Sequence, residues 1–128
     1  MGRLILILFI CIGFAAKSQN LGMTALEVRR SIEAKGYEVE IIKGSAGDIQ
    51  FHTVMDKSYH VFYFNKNNIC NAILLVTNIE EFSVVEEVLI ESGYRKIDDG
   101  KYIKENLKLS VWYSTEFESW VTLLHFNK

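Results

Sequence analysis

Proline is absent from this 128-residue chain, cysteine occurs only twice and histidine three times, and each shortage closes off a class of reading. Without proline the turns rest on Gly, Asn and Asp, and slow X-Pro isomerisation has no part in folding. Cys11 lies within an amino-terminal apolar run that reads as a leader, so Cys70 is the one cysteine of the mature chain. No disulfide can form within it, and the fold must rest on its hydrophobic core. Flanked by Ile69 and the run Ala72–Val76, Cys70 reads as a small buried hydrophobe.

The three histidines, His52, His60 and His125, fall in no His-x-x-x-His spacing, and no Cys-x-x-Cys is present, so no metal and no cofactor are expected. An even-numbered turn at Asp56-Lys57 would set His52 and His60 on opposite faces of a hairpin. No nucleophile elbow is found, and Gly44-Ser45-Ala46-Gly47 lacks the Lys-Ser/Thr pair of a phosphate-binding loop. The acidic pairs Glu80-Glu81, Glu86-Glu87 and Asp98-Asp99 read as solvated helix and turn positions, because adjacent residues on a helix diverge by about 100°. No enzymatic activity is expected.

What is present begins with an address. Met1-Gly2-Arg3 precedes thirteen uncharged residues, Leu4 to Ala16, and small residues at Ala16 and Ser18 stand where a signal peptidase cuts. Residues 1–18 therefore read as a signal peptide cleaved before Gln19, and the protein as exported, either periplasmic or secreted. The run is shorter than the roughly 20 residues a membrane span needs, so no span is expected in the mature chain. Phe9 and Ile10 before Cys11 are too large for a lipoprotein site. With Arg3 and Lys17 removed, 12 of the 14 basic residues face all 16 acidic ones, a formal charge of −4 against −2 for the whole chain. The basic residues Arg95, Lys96, Lys101, Lys104 and Lys108 are interrupted by Asp98, Asp99 and Glu105, so no nucleic acid is expected as a partner.

Residues 19–128 are sized for one domain. Thr24-Ala25-Leu26-Glu27 spells a capping box, Ala25, Val28 and Ile32 follow at helical spacing, and Gly36 supplies the stop. Alternation predicts strands over Tyr37–Ile42, Ile49–Val54, Tyr59–Phe64 and Ile69–Thr77, the last two joined by an Asn-rich turn. The order then repeats. Asn78 with Glu81 caps a second helix whose inward stripe is Ile79, Phe82, Val85 and Leu89, Gly93-Tyr94 matches Gly36-Tyr37, and Val111–Leu124 overlays Phe62–Leu75 without a gap. The expectation is an α+β fold with an internal repeat, 23–77 and 78–128. Two helix-plus-meander units would form one antiparallel sheet of seven or eight strands, both helices on one face and the other face open.

The open face carries the functional expectation. If Ile49, Phe51, Met55, Phe62 and Phe64 point to the core, then Tyr59 and Tyr63 point away from it. If Leu107, Leu109, Val111 and Tyr113 do likewise, Trp112 turns outward, and a three-residue turn at Thr115-Glu116-Phe117 brings Trp120 to the same side. Tyr59, Tyr63, Trp112 and Trp120 are thus the candidate binding residues; a register shift of one residue would turn Trp120 inward. The partner expected is a protein of the cell envelope or outside the cell, with a small-molecule or lipid carrier as the alternative. The helix before Gly36-Tyr37 and the hairpin Tyr63-Phe64-Asn65-Lys66-Asn67-Asn68-Ile69-Cys70 resemble small exported Bacteroidota proteins of unknown function. The element order is similar to that of the β-lactamase inhibitor protein and PepSY-like domains, a likeness that implies an open sheet used to bind proteins or regulate peptidases.

Overall fold

The structure, a computed structural model, describes residues 20–55, 58–77 and 82–126. Within them lie helix α1 (Ala25–Ala34), strands β1 (Glu40–Lys43), β2 (Ile49–Met55), β3 (Ser58–Phe64) and β4 (Cys70–Thr77), helix α2 (Phe82–Glu91), and strands β5 (Arg95–Asp98), β6 (Lys101–Lys104), β7 (Leu107–Ser114) and β8 (Ser119–Phe126). All eight strands join one antiparallel sheet in the order β1-β2-β3-β4-β8-β7-β6-β5. The expected α+β class and single antiparallel sheet are therefore found. The leader 1–18, the turn Asp56-Lys57 and the cap Asn78/Glu81 lie outside the described residues, as do the side chains of Ile79, Phe82 and Val85.

Helix α1 begins as its sequence dictates. The Glu27 amide donates to Thr24 Oγ1 at 3.2 Å, and the Thr24 amide donates to Glu27 Oε1 at 3.2 Å, so two otherwise orphaned donors are satisfied reciprocally. At its end, the Gly36 and Tyr37 amides donate back to the Glu33 and Ile32 carbonyls, with Gly36 at φ +87°. Helix α2 closes in the same way through Gly93 and Tyr94, which donate to Ile90 and Leu89. Cys70 ties the start of α1 to the sheet: its amide donates to Met23 O, and its carbonyl accepts from the Gly22 amide.

One cross-strand row forms the spine of the core. Phe51, Phe62, Ile73, Leu124, Leu109 and Tyr102 stand directly opposite one another on β2, β3, β4, β8, β7 and β6. None is more than 4% exposed, and Val28 and Ile32 of α1 and Val88 and Leu89 of α2 pack on the same face. Each such side chain contributes roughly 1.5–3 kcal/mol of burial, which is what fixes the register. Cys70 is fully buried, as its apolar setting predicts.

The first strand departs from expectation. Residues Tyr37–Val39 are not part of β1, and all four β1 residues are exposed at the sheet edge. The Thr53 hydroxyl donates to Glu38 O at 2.6 Å, so that carbonyl is satisfied by a side chain and not by a ladder. Tyr37 and Val39 still pack against the core from there.

Candidate functional site

Alternation along the paired strands defines the face that neither described helix covers. Its residues include Gln50, His52 and Val54 on β2, Tyr59, Val61 and Tyr63 on β3, Ala72, Leu74 and Val76 on β4, Val121, Leu123 and His125 on β8, and Lys108, Ser110 and Trp112 on β7. One row across it reads Val54, Tyr59, Val76, Val121, Trp112. Tyr59, Tyr63 and Trp112 therefore share the face predicted for them, with Trp112 40% exposed.

Trp120 does not. The β7–β8 connection is four residues long, Ser114 pairs with Ser119, and Trp120 falls opposite Tyr113 on the helix-covered side. A three-residue turn would have reversed the parity; the fourth residue, Glu118 at φ +51°, restores it. Trp120 packs against the core and meets Tyr113 edge-on at 5.6 Å between ring centroids. Tyr113 shares that side yet is 52% exposed at the far end of its strand, so it is not the core residue its spacing predicts.

An aromatic ring reaches the helix-free face from the loop instead. Phe117 sets its ring 6.2 Å from that of Tyr59, although β4 lies between their strands, so the loop reaches over the sheet near Val76 and Val121. Phe117 was readable only as a turn residue; an aromatic in a solvent-exposed hairpin loop is the signal that marks it.

Tyr59 is held from its other side. Its hydroxyl is hydrogen-bonded to His52 Nδ1, and His52 Nε2 lies 3.0 Å from Gln50 Oε1. With Nε2 protonated, His52 donates to Gln50 and accepts from Tyr59, so both ring nitrogens are used. Burial, and then the Glu40 carboxylate, push the Tyr59 phenol up; burial, and then Tyr59 itself, push Tyr63 up. The Tyr59 hydroxyl thus remains a neutral donor at physiological pH. A shallow groove of about 650 Å³ opens beside it, lined by Tyr37, Glu38, Glu40, His52, Val54 and Tyr59 among others.

His60 stands opposite Thr53 and His52 opposite Val61, which puts the two imidazoles on opposite faces, as an even turn requires. His60 is buried, with Nδ1 3.0 Å from Ser58 O, and His125 Nδ1 lies 2.9 Å from Phe126 O. Among the described residues, no three His, Cys, Asp or Glu side chains gather as metal ligands would. No helix among them is long and apolar enough to cross a membrane. Desolvation pushes the Cys70 thiol up to about 12, which removes it as a nucleophile near neutral pH. Compared with protein-family models, curated proteins and solved structures, the chain matches none of them.

Proposed function

We propose that this chain is an exported, non-enzymatic binding module that holds a protein partner against the helix-free face of its sheet. One observation carries the reading: Tyr59, Tyr63 and Trp112 all lie on the face that neither described helix covers. Large aromatic side chains with few rotors and a polar tip are the groups from which binding hot spots are built. The hydrogen bond that fixes Tyr59 to His52, and the Phe117 ring set against its own, support it further, because a ring already held in place loses little freedom on binding. The reactive groups are otherwise engaged: Cys70 is buried, and both His52 nitrogens are hydrogen-bonded. Export rests on the leader 1–18.

We read the sheet as two helix-plus-four-strand units. The ladders support this: Thr53 pairs with His60 as Tyr102 pairs with Leu109, and Phe62 with Ile73 as Val111 with Thr122, every residue 49 positions on. Leu74 pairs with Leu123, its own counterpart at that offset, which is the pairing an approximate two-fold axis between β4 and β8 would give.

Affinity capture from an envelope extract of the source organism tests the binding reading. The mature protein is compared with Tyr63→Ala, Trp112→Ala and Trp120→Ala variants, each checked for folding by circular dichroism. A protein retained by the native chain and by Trp120→Ala, but lost by the other two, is the expected result. Equal capture by all four baits overturns the proposal.

A further inference from the structure

Three cations gather at the β5–β7 end of the helix-free face, and we propose that this patch docks a short acidic segment, a few Asp or Glu side chains, of the partner protein. This rests on the reading of that face as the binding surface. Arg95, Ile103 and Lys108 stand in one cross-strand row on β5, β6 and β7, and Lys101 and Ser110 form the next row on β6 and β7. Strands lie about 4.8 Å apart, and residues sharing a face are about 6.6 Å apart along a strand. The Cα atoms of Arg95, Lys101 and Lys108 therefore mark a triangle with sides of about 8–10 Å. Arg95 and Lys101 are exposed and Lys108 is half-buried. Trp112 lies two residues beyond Ser110 on the same side of β7, so a partner held by that ring passes beside the patch.

The fold itself does not account for these charges. Arg95, Lys101 and Lys108 have no ion-pair partner among the described residues, whereas the neighbouring cations on the opposite face are engaged. Lys96 Nζ lies 2.8 Å from Glu86 Oε1, and Lys104 Nζ lies 5.6 Å from the centroid of the Tyr94 ring. Asp98 stands opposite Lys101, yet its Oδ1 accepts from the Asp99 amide and makes no ion pair with the lysine. Protecting a sheet edge is reason enough for Arg95, but Lys101 and Lys108 are on inner strands, where that need does not arise. At the 49-residue offset they correspond to His52 and Tyr59, so this architecture does not require cations at those places. The size of the patch selects its occupant. Asp98 and Asp99 border it at one end of β6 and Glu105 at the other, and the whole chain carries a formal charge of −2 with the three cations included. A membrane or a nucleic acid is negative over its whole extent and would meet that acidic surround as well as the patch. A few carboxylates fit inside it. Alternate side chains of an extended segment are about 7 Å apart, close to the sides of the triangle, so two carboxylates can meet two cations at once. The Arg95 guanidinium offers a fork to one of them, and the Ser110 hydroxyl opposite Lys101 adds a neutral donor. Exposed charges of this kind set orientation and speed encounter, while the rings anchor.

The test selects a displayed library of random peptides on the mature protein, with every variant checked for folding by circular dichroism. Enriched peptides are expected to carry clustered Asp or Glu and to bind about tenfold more weakly to the Lys101→Glu/Lys108→Glu double variant, less so to Lys101→Gln, and more weakly to Trp112→Ala. Lys43→Glu/Lys66→Glu changes the net charge equally at two exposed positions outside the patch and should leave binding unchanged. No enrichment, enrichment without acidic bias, or equal weakening by the two double reversals overturns the acidic-segment assignment. Retention of phosphatidylglycerol vesicles through Lys101 and Lys108, with no acidic peptide enriched, overturns it in favour of a membrane. Peptides without acidic bias that are still lost to Trp112→Ala leave the binding face standing and remove the patch. Acidic peptides that need Lys101 and Lys108 but not Trp112 keep the patch and remove the ring; peptides held equally by every variant overturn both.

Discussion

Separating the two tryptophans is the sharpest test of the register. Trp112 is 40% exposed on the helix-free face, whereas Trp120 packs against the core on the other side. Truncating a fully buried tryptophan to alanine costs about 3–5 kcal/mol, and the partial burial of Trp120 scales this to about 2–3 kcal/mol. Trp112→Ala should cost about 1 kcal/mol less than Trp120→Ala, because at 40% exposure less of its ring lies against neighbours. At this chain length, 1 kcal/mol moves Tm by about 4 °C, so the two variants should differ by several degrees in thermal melts followed by circular dichroism. Single-tryptophan proteins give an independent readout. Trp112→Phe leaves Trp120, whose emission should be blue-shifted and poorly quenched by acrylamide, and Trp120→Phe leaves a red-shifted, readily quenched Trp112. Equal losses of stability, or the reverse order of emission, would refute the four-residue connection and the face assignment built on it.

Gly36 and Gly100 both have positive φ, but a Cβ at Gly36 meets nothing within 4 Å while one at Gly100 would lie 2.4 Å from the Val111 carbonyl oxygen. Gly36→Ala should therefore cost about 1–2 kcal/mol in urea unfolding and Gly100→Ala a further 1–3 kcal/mol; equal costs would show that the β5–β6 turn does not press on β7. Cys70, raised to about 12 from 9.0, favours the folded state fully below pH 9. As pH climbs from 9 toward 12, the unfolded thiol ionises first, so stability falls by up to about 1.4 kcal/mol per pH unit. Stability against pH, compared with Cys70→Ala, should show that loss in the native chain alone; parallel curves would mean that the thiol is solvated. Thr24→Ala should cost about 1 kcal/mol through loss of the cap. Thr24 hydrogen bonds hold the Glu27 carboxyl below its usual value, so the support of that carboxylate is present above pH 4.5 and fades as pH falls. The stability difference between native and Glu27→Gln should vanish in acid, and a difference that persists there would count against the capping box.

The covered side of the sheet was legible where burial on one face leaves no freedom of register. Phe51 stands between Gln50 and His52 and Leu109 between Lys108 and Ser110, and slipping either strand by one residue would turn that stripe into water. The capping box and the two Gly-Tyr helix stops were legible for a different reason, since their hydrogen bonds close within a few residues and need no tertiary partner. What failed lies where neither condition holds. Tyr37–Val39 carries a strand-like alternation, but it lies at the sheet's edge with a possible partner on one side only, and there the Thr53 hydroxyl bonds the Glu38 carbonyl. Trp120 follows a loop of exposed residues in which three and four are equally credible lengths, and one residue of difference moves its ring through the sheet. That choice falls to the core, because Leu124 must stand opposite Leu109 and Ile73. The composition of the helix-free face follows from the same choice: with Trp120 beneath the sheet, the loop aromatic that meets Tyr59 is Phe117.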